Sequence, residues 1–104
     1  MKKARGYIFS RSFLGERVPQ SIQNLAIRDF CERNHIIYQL SATEYAMENS
    51  SKVLFKLARD KKENNIVLYS LFQLPSFALE RSKFYKIVLK QKKNIYFALE
   101  IKSL

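Results

Sequence analysis

Four short runs of apolar and β-branched residues recur along the chain at nearly even spacing: Gly6–Ser10, Ile36–Leu40, Ile66–Ser70 and Ile95–Leu99. Each is continuous rather than alternating, the pattern of strands buried on both faces. The stretches between them carry helical signals. Pro19 suits a first helical turn, and Ile22, Leu25, Ala26 and Phe30 then follow as one apolar stripe at helical spacing. Ser50 or Ser51 is placed to cap a second helix whose inward residues are Val53, Leu54, Leu57 and Ala58. After Pro75, Ser76 is placed to cap a third, with Phe77, Phe84, Tyr85, Val88 and Leu89 inward and Arg81, Lys83, Lys86 and Lys90 outward.

Strands alternating with crossovers of this length predict right-handed βαβ units and a parallel sheet. The expected fold is therefore one α/β domain over 1–104: a three-layer, flavodoxin-like sandwich with a four-stranded parallel sheet. Its order is 2-1-3-4, with helices on both faces and a switch point between the first and third strands. The four runs share no side-chain motif, so the even spacing reflects the βαβ unit and not a repeat array.

In an open parallel sheet ligands bind beyond the carboxyl ends of the strands. Here that edge is expected from residues 10–17, 41–49 and 70–76, and the first two segments are longer than a minimal βα loop. They hold Ser10, Arg11, Ser12, Glu16, Arg17, Ser41, Thr43, Glu44 and Tyr45, while Ser70 and Gln73 lie on the third. Gln23, Asn24 and Arg28 on the first helix complete the candidate ligand-binding set. One reading is a site for an anionic small molecule, with Arg11 or Arg17 pairing a phosphate or carboxylate. The other is that Arg11, Glu16, Arg17 and Glu44 pair among themselves to order loops or hold a subunit interface. Phe13, Leu14, Phe72 and Leu74 on the same loops, with the exposed edges of a four-strand sheet, suit either a homo-oligomer, the expected state, or packing of those side chains into the interior.

Charge sharpens the picture. Of a formal +10, residues 52–93 hold eleven Lys/Arg against Asp60, Glu63 and Glu80, a local +8. Such a stretch is either a solvated lysine-rich helix surface or a face that attracts polyanions. The 47% hydrophobic content provides for a core in a chain of 104 residues.

Several chemistries fail at identifiable positions. Gly6 and Gly15 are the only glycines, which leaves no dinucleotide or P-loop cradle. His35 is the sole histidine and is expected at a helix C-terminus; Cys31 is the sole cysteine and is expected as a buried, inert thiol. That leaves no disulfide, no zinc or haem ligand set, no metal site and no cofactor. No apolar stretch suits a signal core or a membrane span, so a cytoplasmic protein without membrane insertion is expected.

Two resemblances add context. Gly6-Tyr7-Ile8-Phe9-Ser10-Arg11-Ser12, then Gln23-Asn24-Leu25, then Leu71-Phe72-Gln73-Leu74-Pro75-Ser76, resembles the catalytic domain of serine recombinases. The likeness is one of architecture only. Phe9 stands where that family has a strand arginine, Arg11 at the nucleophile's position, and Gln73 and Ser76 where two arginines activate phosphate. Arg5–Arg11, Gly15–Gln20, Gln23–Asp29, Cys31–Asn34, Leu40–Met47 and Tyr69–Pro75 resemble the small "sporadic carbohydrate cluster" family over nearly the whole chain. That resemblance implies a bacterial cytoplasmic protein of surface-polysaccharide or unusual-sugar biosynthesis, and it supplies no catalytic residues.

The leading expectation is an accessory protein binding a phosphorylated sugar, a nucleotide-sugar or a partner biosynthetic enzyme at the strand-end edge. The alternatives are a small enzyme on a sugar intermediate, with Glu16, Glu44 or Tyr45 as acid or base, and a degenerate recombinase-like nucleic-acid binder. Without an evident stacking platform, nucleic acid ranks last as a partner.

Overall fold

The computed structural model describes residues 2–10, 17–45 and 50–99. Its elements run β1 (Lys3–Phe9), α1 (Gln20–Arg33), β2 (Ile37–Glu44), α2 (Lys52–Arg59), β3 (Asn65–Leu68), a 3-10 turn (Leu71–Gln73), α3 (Ala78–Lys90) and β4 (Asn94–Phe97). The four strands form one parallel sheet in the order β2-β1-β3-β4, as the spacing of the apolar runs predicts. The central strands carry the continuous apolar runs: Ala4, Tyr7, Ile8 and Phe9 of β1 and Ile66, Val67 and Leu68 of β3 are buried.

Strand alternation divides these side chains between two cores. On one face Tyr7, Phe9, Ile66 and Leu68 pack under α2 and α3, against Leu54, Leu57, Ala58, Phe84 and Val88. On the other, Ala4, Ile8 and Val67 pack under α1, against Ile27 and Cys31. The result is the three-layer flavodoxin-like arrangement with one helix on one face and two on the other. Gly6 permits the close approach of α1 to β1: a Cβ there would collide with Ser41 Oγ and come within 3.3 Å of Ile27 Cγ2.

Four local expectations are corrected. The buried face of α1 is Gln23, Ile27 and Cys31, whereas Ile22 and Leu25 are exposed. The helix is thus turned roughly a quarter turn from the stripe its apolar residues suggest. On α3 only Phe84 and Val88 of the expected five are buried; Phe77, Tyr85 and Leu89 are exposed. Arg81, expected outward, folds back so that Nη1 donates to the carbonyls of Pro75 (3.2 Å) and Ser76 (3.4 Å). α3 begins at Ala78 after Phe77, so Ser76 is not its cap.

Both α1 and α3 end in the same device. His35 and Lys92 adopt left-handed φ of 57° and 54°. The next residue's N–H reaches back to the helix, Ile36 N to Cys31 O at 2.8 Å and Lys93 N to Val88 O at 3.0 Å. His35 N to Glu32 O (3.3 Å) and Lys92 N to Leu89 O (3.2 Å) complete two Schellman motifs, with non-glycine residues where glycine is favoured. The motif turns each chain sharply from helix into the following strand. Lys93 is buried beside this turn, its ammonium donating to the carbonyls of Asp60 and Glu63. Burial pushes the Lys93 pKa down, opposed by the nearby Asp60 and Glu63 charges.

Candidate functional site

The carboxyl ends of β1 and β3 meet at the switch point, where the chain order of the sheet reverses. Gln23, wholly buried on the first turn of α1, lies across this gap. Its Nε2 donates to Phe9 O and Val18 O, both at 2.9 Å, and its Oε1 accepts from Phe9 N at 2.8 Å. The same Oε1 accepts from Gln73 Nε2 at 2.8 Å. Gln73, equally buried, uses its own Oε1 to accept from Tyr69 N (2.9 Å) and Ser70 N (3.3 Å). Two side-chain amides thus tie off the ends of two adjacent strands and form the floor of the crevice. Ser70 Oγ accepts from Phe72 N at 3.2 Å, so Ser70 and Gln73 form a capping box on the 3-10 turn.

Glu44 forms the second built part of the edge. It is buried, and its Oε1 accepts from Tyr7 OH (2.8 Å), Val53 N (3.0 Å) and Leu54 N (3.4 Å), with Oε2 at 3.2 Å from Val53 N. A carboxylate against the positive end of a helix is favourable, so Glu44 caps α2 in place of Ser51, whose side chain makes no capping bond. Its orientation depends on a bulge in β2. Ala4 pairs with Tyr38 but Gly6 pairs with Ser41, so β2 carries an extra residue opposite Arg5. Arg5 Nε donates across it to Leu40 O at 3.0 Å. The extra residue reverses the in–out parity of everything after it, sending Ser41 toward α1 and Glu44 toward α2.

Other residues of the expected set fall elsewhere. Ser41, Thr43 and Glu44 belong to β2 and not to a loop. Ser10 N and Oγ both donate to Glu44 O, each at 3.1 Å, which holds the end of β1 to the end of β2. Asn24, Arg28 and Ser41 do not turn into the crevice; they gather on Tyr38. The Tyr38 hydroxyl is 2.8 Å from Ser41 Oγ and donates to Asn24 Oδ1 at 3.4 Å, and the Arg28 guanidinium lies 5.5 Å from the ring centroid. Tyr38, a strand residue in an apolar run, is the member of that cluster that residue type did not bring forward. Thr43 pairs in register with Ile8, and Arg17 and Tyr45 are exposed. Leu74 is buried and Phe72 exposed. Arg11, Ser12, Phe13, Leu14 and Glu16 lie outside the described residues.

No buried side-chain polar atom among the described residues lacks a partner. No group of three or more His, Cys, Asp or Glu among them is placed to hold a metal ion. Cys31 is buried, which pushes its thiol pKa up and away from a reactive thiolate. Among the described residues the buried polar groups of the edge are therefore all satisfied, and what these residues offer to a ligand lies on the rim. There α1 starts at Gln20 behind Pro19, with no acid in its first turn and no side-chain cap among the described residues. The exposed Arg17 stands just ahead of it. No helix among the described residues is long and apolar enough to cross a membrane. No protein-family model matches the chain. No curated protein matches it either.

Proposed function

We propose that the chain is a small cytoplasmic binding protein of bacterial surface-carbohydrate or unusual-sugar biosynthesis, taking a phosphorylated sugar or nucleotide-sugar at the carboxyl edge of its sheet. The observation that carries the reading is the contrast between two helix starts at that edge. α2 is closed by an internal carboxylate, Glu44, whereas α1 opens beside Arg17 with neither a side-chain cap among the described residues nor an acid in its first turn. Backbone N–H groups at such an end, with the helix dipole behind them, suit a phosphoryl group. An adjacent guanidinium adds a charge-assisted pair. The location at the β1/β3 switch point is the usual one for ligands of this architecture.

The carbohydrate context rests on the family resemblance of the sequence. A catalytic reading finds less support, because both Glu44 oxygens are engaged by Tyr7 and α2. A homo-oligomer is proposed with it, supported by the exposed Ile37 and Leu40 on the edge strand β2 and Leu25 on α1.

Calorimetric titration with a panel of phosphorylated sugars, their neutral counterparts and nucleotide-sugars tests the ligand. Binding restricted to the phosphorylated members is expected, weakened about tenfold by Arg17→Ala, the order of one charge-assisted hydrogen bond. Absence of heat with every phosphorylated member, or affinity unchanged in Arg17→Ala, would overturn the reading.

A further inference from the structure

We propose that the outer face of α2 and α3 is a docking surface for an anionic lipid bilayer, on which the protein adsorbs without inserting. The two helices lie side by side on one face of the sheet, joined by an edge-to-face pair of Phe55 and Phe84 with centroids 6.0 Å apart. Burying Leu54, Leu57, Ala58, Phe84 and Val88 inward leaves Lys52, Lys56 and Arg59 of α2 and Lys83, Lys86 and Lys90 of α3 exposed. At helical rise each row is about 10 Å long. Packed helices lie about 8–10 Å apart, so the six exposed cations share one side of the molecule.

Among the described residues Glu80, in the first turn of α3, is the one acid on the two helices. Glu63 pairs with Arg5 at 3.8 Å, and Asp60 Oδ1 accepts from Lys62 N at 2.9 Å. None of the six cations forms an ion pair among the described residues. A surface of this kind calls for a polyanion.

The apolar residues in the patch select which one. Leu79 and Leu89 are 80% and 77% exposed, more than any other large apolar side chain among the described residues, and they flank the lysine row of α3. Against nucleic acid the two leucines gain nothing, and phosphate recognition there favours the arginine fork. Five of the six exposed cations are lysines, and the Arg59 guanidinium lies 5.3 Å from the Phe55 ring centroid. At a bilayer the leucines reach the headgroup–acyl boundary while lysine stems snorkel to lipid phosphates. Each juxtamembrane lysine adds to attraction by anionic headgroups. The surface is independent of the sugar-phosphate site, since α1 and Arg17 take no part in it.

Co-sedimentation of the full chain with vesicles of phosphatidylcholine and phosphatidylglycerol in equal parts tests it, against phosphatidylcholine alone. Binding to the mixed vesicles only is expected, falling steeply as salt rises. The triple variant K83Q/K86Q/K90Q should weaken it by about tenfold or more. L79S/L89S should weaken it several-fold, with circular dichroism and sugar-phosphate titration unchanged in both variants. No binding to the mixed vesicles at low salt would overturn the proposal. So would vesicle binding indifferent to L79S/L89S, or a duplex or single-stranded oligonucleotide bound more tightly than the vesicles.

Discussion

His35 and Lys92 hold backbone angles that cost an L-residue on the order of 1 kcal/mol, because Cβ crowds the following carbonyl. Each is tolerated because the Schellman bonds around it close a helix and launch a strand. His35→Gly and Lys92→Gly should therefore each stabilise the fold, by up to about 1 kcal/mol after the extra freedom of glycine in the unfolded chain is subtracted. Urea unfolding of the two single variants and the double measures this, and their places before β2 and β4, the opposite edge strands of the sheet, predict additive gains. A loss of stability at either position would mean that the side chain contributes more than its backbone strain costs. The sole histidine thus has a structural place at a helix C-terminus, as its position before a strand suggested. That the residue sits at positive φ was not legible, since nothing in the residue type marks it.

At the scale of elements, α2 is eight residues long and too short to stand without tertiary support. Part of that support is Glu44, a strand residue that accepts from the first backbone N–H groups of the helix. Glu44→Leu removes those bonds and leaves Tyr7 OH without its 2.8 Å acceptor, so a loss of about 2–3 kcal/mol is expected. Glu44→Gln keeps one oxygen acceptor and should lose less. Hydrogen exchange should show the difference concentrated in the amides of α2, whereas uniform exchange in Glu44→Leu would detach the carboxylate from the helix. The strand and helix order was legible because buried strands and crossovers have different periods. Helix faces were less so. On α1 a buried Gln23 takes an inward position while Ile22 and Leu25 stay outside, so apolar residues alone indicate the wrong face. In β2 the extra residue opposite Arg5 reverses parity, a register event that leaves no mark in composition.

The whole molecule is held at both ends of its sheet by side-chain amides. At the amino end Asn65 Nδ2 donates to Lys3 O at 2.9 Å and Asn65 Oδ1 accepts from Asn94 Nδ2 at 3.1 Å, linking β1, β3 and β4. At the carboxyl end Gln23 and Gln73 do the same between β1 and β3. The carboxyl ends of β1 and β3 lie where the apolar runs place them, but the roles of the residues gathered there were not legible. A glutamine that faces a ligand and one that ties two strands together are the same letter, and only partners and burial separate them. The distinction has a measurable consequence. Gln23→Leu strips Phe9 N, Phe9 O and Val18 O of their side-chain partner and leaves Gln73 Nε2 without its acceptor in a buried setting, for an expected loss of about 3 kcal/mol. Gln73→Leu removes the side-chain acceptor of Tyr69 N and Ser70 N, with a loss of about 2 kcal/mol. Because the two amides bond each other, the double variant should lose less than the sum of the singles, by about 1 kcal/mol in a double-mutant cycle. Strict additivity would mean that the amides act separately on their own strands. Coupling of that size would mean that the crevice floor is one unit, and a ligand seated on the rim at Arg17 and α1 would then rest on a support fixed before it arrives.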